Sequence, residues 1–170
     1  MPNYRIVPDR SQVWIEAKSS LHPIHGEAKG LSGSIEAEVV DGRLNLDGTP
    51  QIQLELPVAA LKSGKAMEDA EMMRRVDARR YPTIRGVVRE VRESSPGRYR
   101  MSGDLTFHGV TKTVEGDVSL CQPDGDHTII FEGEQTFDIR EFGVQPPKIL
   151  MLKVHPDVKV RVRVVAQQEE

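Results

Sequence analysis

Histidines, a lone cysteine and a run of arginines are the side chains through which this chain would do chemistry. His22-Pro23-Ile24-His25 brings two imidazoles close together, a spacing that hints at metal, but nothing around it completes a ligand set and Pro23 favours a solvated loop. His108, His127 and His155 each sit beside turn signals, so a site built from them would exist only in three dimensions. Asp124 and Asp126 form a carboxylate pair in a turn, where solubility and backbone capping explain them. Cys121 is the single cysteine, has no intrachain partner and gives no sign of an oxidising compartment. No GxSxG or HExxH motif occurs, and Ser, His and Asp are scattered without triad spacing. These absences predict a protein that is not an enzyme and needs no metal or cofactor.

The arginines are more pointed. From Arg74 to Arg100 there are nine, at 74, 75, 79, 80, 85, 89, 92, 98 and 100, against Asp77, Glu90 and Glu93, in a chain of net charge -3. The acidic balance argues against a nucleic-acid binder. Those arginines that alternate with apolar residues read as a solvated strand face. Arg74, Arg75, Arg79 and Arg80 follow a helix and are expected to form a lip for an anionic head group, or equally to touch an anionic membrane surface transiently.

The elements that must position these groups are strands. Tyr99, Met101, Gly103, Leu105 and Phe107 alternate with polar residues, and Val114, Gly116, Val118 and Leu120 do so after HGVTK, which predicts an antiparallel hairpin with one apolar face. Gly103 and Gly116 fall in the apolar register, where missing side chains suggest that space is needed. Pairing Val88 with Met101 would set Gly86 across from Gly103 and Gly116 across from Leu105, widening one level of the interior. Thr128 to Ile139 places Ile129, Phe131, Gly133, Gln135 and Phe137 inward, and Val158 to Val164 alternate in the last strand. The strand from Thr83 is ambiguous: Ile84, Gly86 and Val88 fit one face, Val87 and Val91 the other. Asp41-Gly42 and Ser95-Pro96-Gly97 are turns. Ala66 to Val76 is the one helix, with Met67, Met72, Met73 and Val76 as its apolar stripe. Eight or nine strands and one helix in 170 residues indicate a single domain spanning 1–170, an antiparallel barrel or sandwich.

Tyr4-x-Ile6-x-x-Asp9-x-Ser11-x-Val13, Gly33, Tyr81-Pro82-Thr83-Ile84, LTFHGVTK at 105–112, Arg140-Glu141-Phe142-Gly143 and Asp157-Val158-Lys159-Val160 resemble, in that order, the YceI-like family. The likeness covers nearly the whole chain. It departs from the family pattern before Tyr81, where Asp69-Ala70-Glu71-Met72 and Val76-Asp77-Ala78 replace an Asp-x-His-Leu element and aromatics. The resemblance implies an all-β fold, an extended eight-stranded antiparallel lipocalin-like barrel with one short helix. It further implies a pore that binds and carries an isoprenoid, quinone-like or other lipid chain, usually in the periplasm.

The expected pore-lining residues are Gly86, then Met101, Gly103, Leu105, Phe107, Gly116 and Val118 of the hairpin, then Phe131, Gly133, Gln135 and Phe137. The alternative is an enzyme acting on an apolar molecule in the same pore, which would need Gln135 and a histidine to converge inside. Met1-Pro2-Asn3-Tyr4 leaves no room for a signal peptide, which predicts a cytoplasmic protein, or a periplasmic one if the sequence has been trimmed. A monomer or homodimer is expected, with a lipid or isoprenoid as its partner.

Overall fold

Residues that alternate in polarity must pair edge to edge and turn one face from water. The computed structural model describes residues 1–123, 127–146, 148–149 and 152–169, so the Asp124 and Asp126 pair lies outside the described residues. The strands are β1 (Asn3–Ile6), β2 (Gln12–Ser19), β3 (Ile24–Ala28), β4 (Ser32–Glu36), β5 (Glu38–Val40), β6 (Arg43–Asn45), β7 (Gln51–Pro57), β8 (Thr83–Ser95), β9 (Arg98–Phe107), β10 (Val110–Cys121), β11 (Thr128–Asp138), β12 (Lys148–Ile149) and β13 (Leu152–Gln168). One helix, α1 (Ala66–Arg75), stands between β7 and β8. None of the described helices is long and apolar enough to cross a membrane.

The order β1-β4-β7-β8-β9-β10-β11-β13 closes on itself through β1 and β13, an eight-stranded antiparallel barrel. The long β13 carries β1 on its last residues and β2 on its middle, with β3 continuing beyond β2. Where β1 gives way to β2, the buried Ser11 hydroxyl accepts from the Val165 amide at 2.9 Å and donates to the Val165 carbonyl at 3.3 Å. The side chain thus replaces the rung that the corner removes.

The hairpin register differs from the sequence expectation. Its turn is only His108-Gly109, both at positive φ (54° and 72°), so β10 begins at Val110 and Phe107 faces Val110. Such two-residue turns match the twist of the strands they join. Gly116 therefore lies across from Met101, not Leu105, and Gly86 across from Leu105, not Gly103. The ambiguous face of β8 also has a physical cause. The β8–β9 ladder shifts between Val88 and Glu90, so Ile84, Gly86 and Val88 share the inner face above the bulge and Val91 joins it below.

Gly103 is small because of this bulge. A Cβ there would lie 2.2 Å from the Val87 carbonyl oxygen and 2.8 Å from Val88 Cα, so the residue permits a close approach of backbones rather than opening space. Gly116 is different, since a Cβ there meets only the Gln135 amide, at 3.6 Å.

The lower end, away from the His108-Gly109 turn, is packed shut. Tyr4, Ile35, Ile52, Tyr99, Leu120, Ile129, Phe131 and Ala166 are all buried, and the β5–β6 hairpin folds against them with Leu44. The Leu44 amide donates to the Tyr99 hydroxyl at 2.8 Å, which satisfies the phenol at full burial. We expect Gly103→Ala to destabilise the fold by roughly 1–3 kcal/mol, as forced overpacking does, and Gly116→Ala to be nearly neutral. Thermal melts that ranked the two in the opposite order would contradict this account of the bulge.

Candidate functional site

Above Tyr99 the same inward register continues, but the packing loosens. Leu54, Ile84, Val88 and Val160 are only half-buried although they point into the barrel, as are Val118 and Val162 level with Tyr99. Leu105 and Phe137 are half-buried too, and belong to neither of the two hydrophobic clusters among the described residues. Inward side chains that retain exposure mean that solvent reaches the upper interior. Of the expected pore residues, Phe131 sits lowest, across from Leu120; Val118 and Gly133 lie level with Tyr99, and Met101 is next above, across from Gly116 and still buried. Gly86, Leu105, Gly116, Gln135 and Phe137 face the looser part, and Phe107 the roof.

The roof is a second cluster of Val58, Val76 and Val144, against which Met72, Met73, Ile84, Phe107 and Ile139 pack. The face that α1 buries is rotated from the expected stripe. Met67 is 63% exposed, while Glu68, Met72 and Val76, four residues apart, form the inner side. Glu68 can be buried at the first turn because Lys65 stands 3.8 Å from its carboxylate and the helix N-terminus favours an acid.

The roof is anchored by one aromatic junction. The His108 imidazole donates from Nδ1 to the Phe142 carbonyl at 3.0 Å, and Tyr81 meets it edge-on at 4.9 Å. Phe107 packs on Phe142 at 5.8 Å.

The arginines divide. Arg85, Arg89, Arg92 and Arg100 lie on the outer face and reach Glu55, Asp104, Glu115 and, for Arg100, both Glu115 and Asp117. Arg75 and Arg74 both hydrogen-bond Glu71, which holds that carboxyl below the usual glutamate range. Two of the four residues expected at the lip are therefore committed within the helix. Arg79 and Arg80 are exposed, with the Arg80 guanidinium 5.4 Å from the centre of the Tyr81 ring.

The polar cluster that catalysis would need is not assembled among the described residues. His108 is engaged at the roof, His22 contacts the Pro23 carbonyl and His25 lies 3.8 Å from Glu16. No group of three or more His, Cys, Asp or Glu among the described residues is arranged to hold a metal. A polar recess of about 490 Å³ lies on the outer face of β2 and β3, where Arg161 stacks 4.4 Å over Trp14; sequence reading had left both residues aside.

Residues 4–166 match the model of the YceI-like domain. The chain belongs to the YceI-like family. Among curated proteins it is similar to the UPF0312 protein of Pseudomonas savastanoi pv. phaseolicola, 27% identical over 130 residues, which are 73% of this chain and 65% of that protein. It thus spans about two thirds of the length of the relatives it matches. Among solved structures it is similar in fold to Burkholderia cenocepacia BcnA, with a TM-score of 0.79 at 21% identity over 95% of this chain and 99% of the other. A polyisoprenoid binding domain from Saccharophagus degradans, implicated in plant cell wall breakdown, superposes with a TM-score of 0.75 at 11% identity over 99% and 100% of the two chains.

The motifs that carried the YceI-like resemblance turn out to be neighbours in space. Tyr81, His108 and Phe142 meet at the roof, and Ser11 holds the corner on β13. Gly109 completes the junction, since a Cβ there would lie 2.5 Å from Tyr81 Cε1 at a φ of +72°. Gly109→Ala should therefore cost roughly 1–3 kcal/mol and shift the His108 ring resonances; an unchanged melt with unchanged resonances would show that the junction does not anchor the roof.

Proposed function

We propose that this YceI-like protein binds and carries a long apolar chain, of the isoprenoid, quinone-like or other lipid class, in the upper half of its barrel. The observation that carries the reading is the half-exposed apolar face running above the Tyr99 plug. Apolar surface facing an enclosed space costs free energy until something apolar covers it. Burying about twenty ligand carbons at ~0.8 kcal/mol each supplies on the order of 16 kcal/mol, against an association cost of roughly 4–15 kcal/mol. The balance favours tight but reversible binding. Family membership and a structural neighbour described as a polyisoprenoid binding domain support a binding protein rather than an enzyme.

Gly86 offers the way to test occupancy, because a Cβ there meets only Leu54 Cβ, at 3.9 Å, and has room to grow inward. Gly86→Leu should keep its melting temperature within a few degrees yet lose or shorten the lipid recovered by solvent extraction and mass spectrometry of freshly purified protein. A stable variant with unchanged lipid would sink the pore assignment.

Arg79 and Arg80 supply the cationic part of the mouth in this reading and steer the protein to anionic surfaces. Replacing both with Gln should weaken binding to vesicles of anionic phospholipid at low salt more than replacing Arg74 and Arg75, whose charge Glu71 already offsets. Equal losses from the two double variants would refute the division.

A further inference from the structure

The barrel wall is unzipped along one line. β10 and β11 pair from Cys121 with Ile130 to Asp117 with Glu134, and no rung joins them above that. Among the described residues, Val110 to Gly116 of β10 have ladder partners on β9 alone, and Gln135 to Asp138 of β11 on β13 alone. At the strand rise of about 3.3 Å per residue, β10 is unpaired on this side for roughly 20 Å. The turn after β11 closes the top of the seam through the bond from His108 to the Phe142 carbonyl.

The seam coincides with the polar part of the inner face. Above the Tyr99 row, the inward register of β8 to β11 is apolar or glycine except at Lys112 and Gln135, which flank the opening at different heights, Gln135 beside Gly116 and Lys112 four residues nearer the His108-Gly109 turn. Lys112 lies across from Leu105 on that register and is exposed, and Gln135 reaches to within van der Waals contact of the Gly116 position. The carboxylates of β10, Glu115 and Asp117, face outward to Arg92 and Arg100. An ammonium on the inner face of a closed apolar barrel would bear a large desolvation penalty. Here the missing rungs let water reach it.

We infer that the β10–β11 seam is the polar-end site of the pore. The apolar chain lies inside against Leu105, Val160 and Phe137, and its oxygen-bearing anionic terminus, a phosphate or carboxylate, sits in the upper seam on the Lys112 ammonium, with the Gln135 amide lower on the opposite strand. The inference rests on the chain-binding reading above. It assigns the terminus to the side wall and leaves Arg79 and Arg80 for steering.

The test measures the affinity of lipid-stripped full chain for geranylgeranyl phosphate and for geranylgeraniol, which share a chain and differ in the terminus. Wild type should prefer the phosphate by about tenfold, a single charge-assisted contact. Lys112→Met should remove that preference and leave the alcohol within about twofold, with Lys112→Gln as a second variant, while Arg79→Gln with Arg80→Gln should retain it at moderate salt. Loss of the preference in the Arg79 and Arg80 variant but not in Lys112→Met would place the terminus at the mouth and overturn the inference. A wild type that binds both probes equally would overturn it too. Binding of neither probe to wild type would instead remove the underlying chain-binding reading, and this site with it.

Discussion

The bond from His108 Nδ1 to the Phe142 carbonyl spans a stretch of barrel wall that has no ladder beneath it among the described residues. Among the described residues no ladder rung above Asp117 and Glu134 joins these strands, so this bond and the packing of Phe107 on Phe142 hold hairpin β9–β10 to the turn after β11. The imidazole can reach because His108 occupies the first position of a two-residue turn at positive φ, which projects its ring over the neighbouring segment. Tyr81 then fills the space beside Gly109, and the start of β8 is fixed to the same point. Three distant parts of the chain are held by one ring.

Below this junction the molecule grades from a packed end to a loose one. The plug at Tyr99 and Leu44 satisfies the fully buried Tyr99 phenol and excludes water, whereas Leu105 and Phe137 belong to neither hydrophobic cluster among the described residues. Stability can therefore reside in the lower half while the upper half keeps apolar surface available. A fully packed interior would leave nothing for a ligand to cover.

Charge is arranged to leave this interior alone. Cross-strand pairs such as Arg100 with Asp117 and Arg163 with Glu132 run along the outer face, where they cost little and contribute little. The depressed Asp138 carboxyl, held by the side chain and then the amide of Arg140, fixes the turn that closes the seam. A carboxylate with a lowered folded value contributes stability above the ordinary aspartate range and loses it as pH falls through the folded value.

The sequence by itself determined the strand pattern, the antiparallel hairpin, the single helix and the family, because each follows from local alternation, turn chemistry and the order of short motifs. It also marked the inner face, since Gln135 and Phe137 on β11 share a register with Leu105 and Val118 that a period of two makes plain. What the tertiary structure alone decided depends on where ladders begin, slip and stop. The bulge after Val88 turned Gly103 from a pore glycine into a point of close backbone approach. The rotation of α1 buried Glu68 in place of Met67, and the two-residue turn at His108-Gly109 set Lys112 across from Leu105 on the inner wall. A pattern of side chains records which face is apolar, but register and the reach of a ladder are set by backbone partners far away in the chain, and no local spacing encodes them.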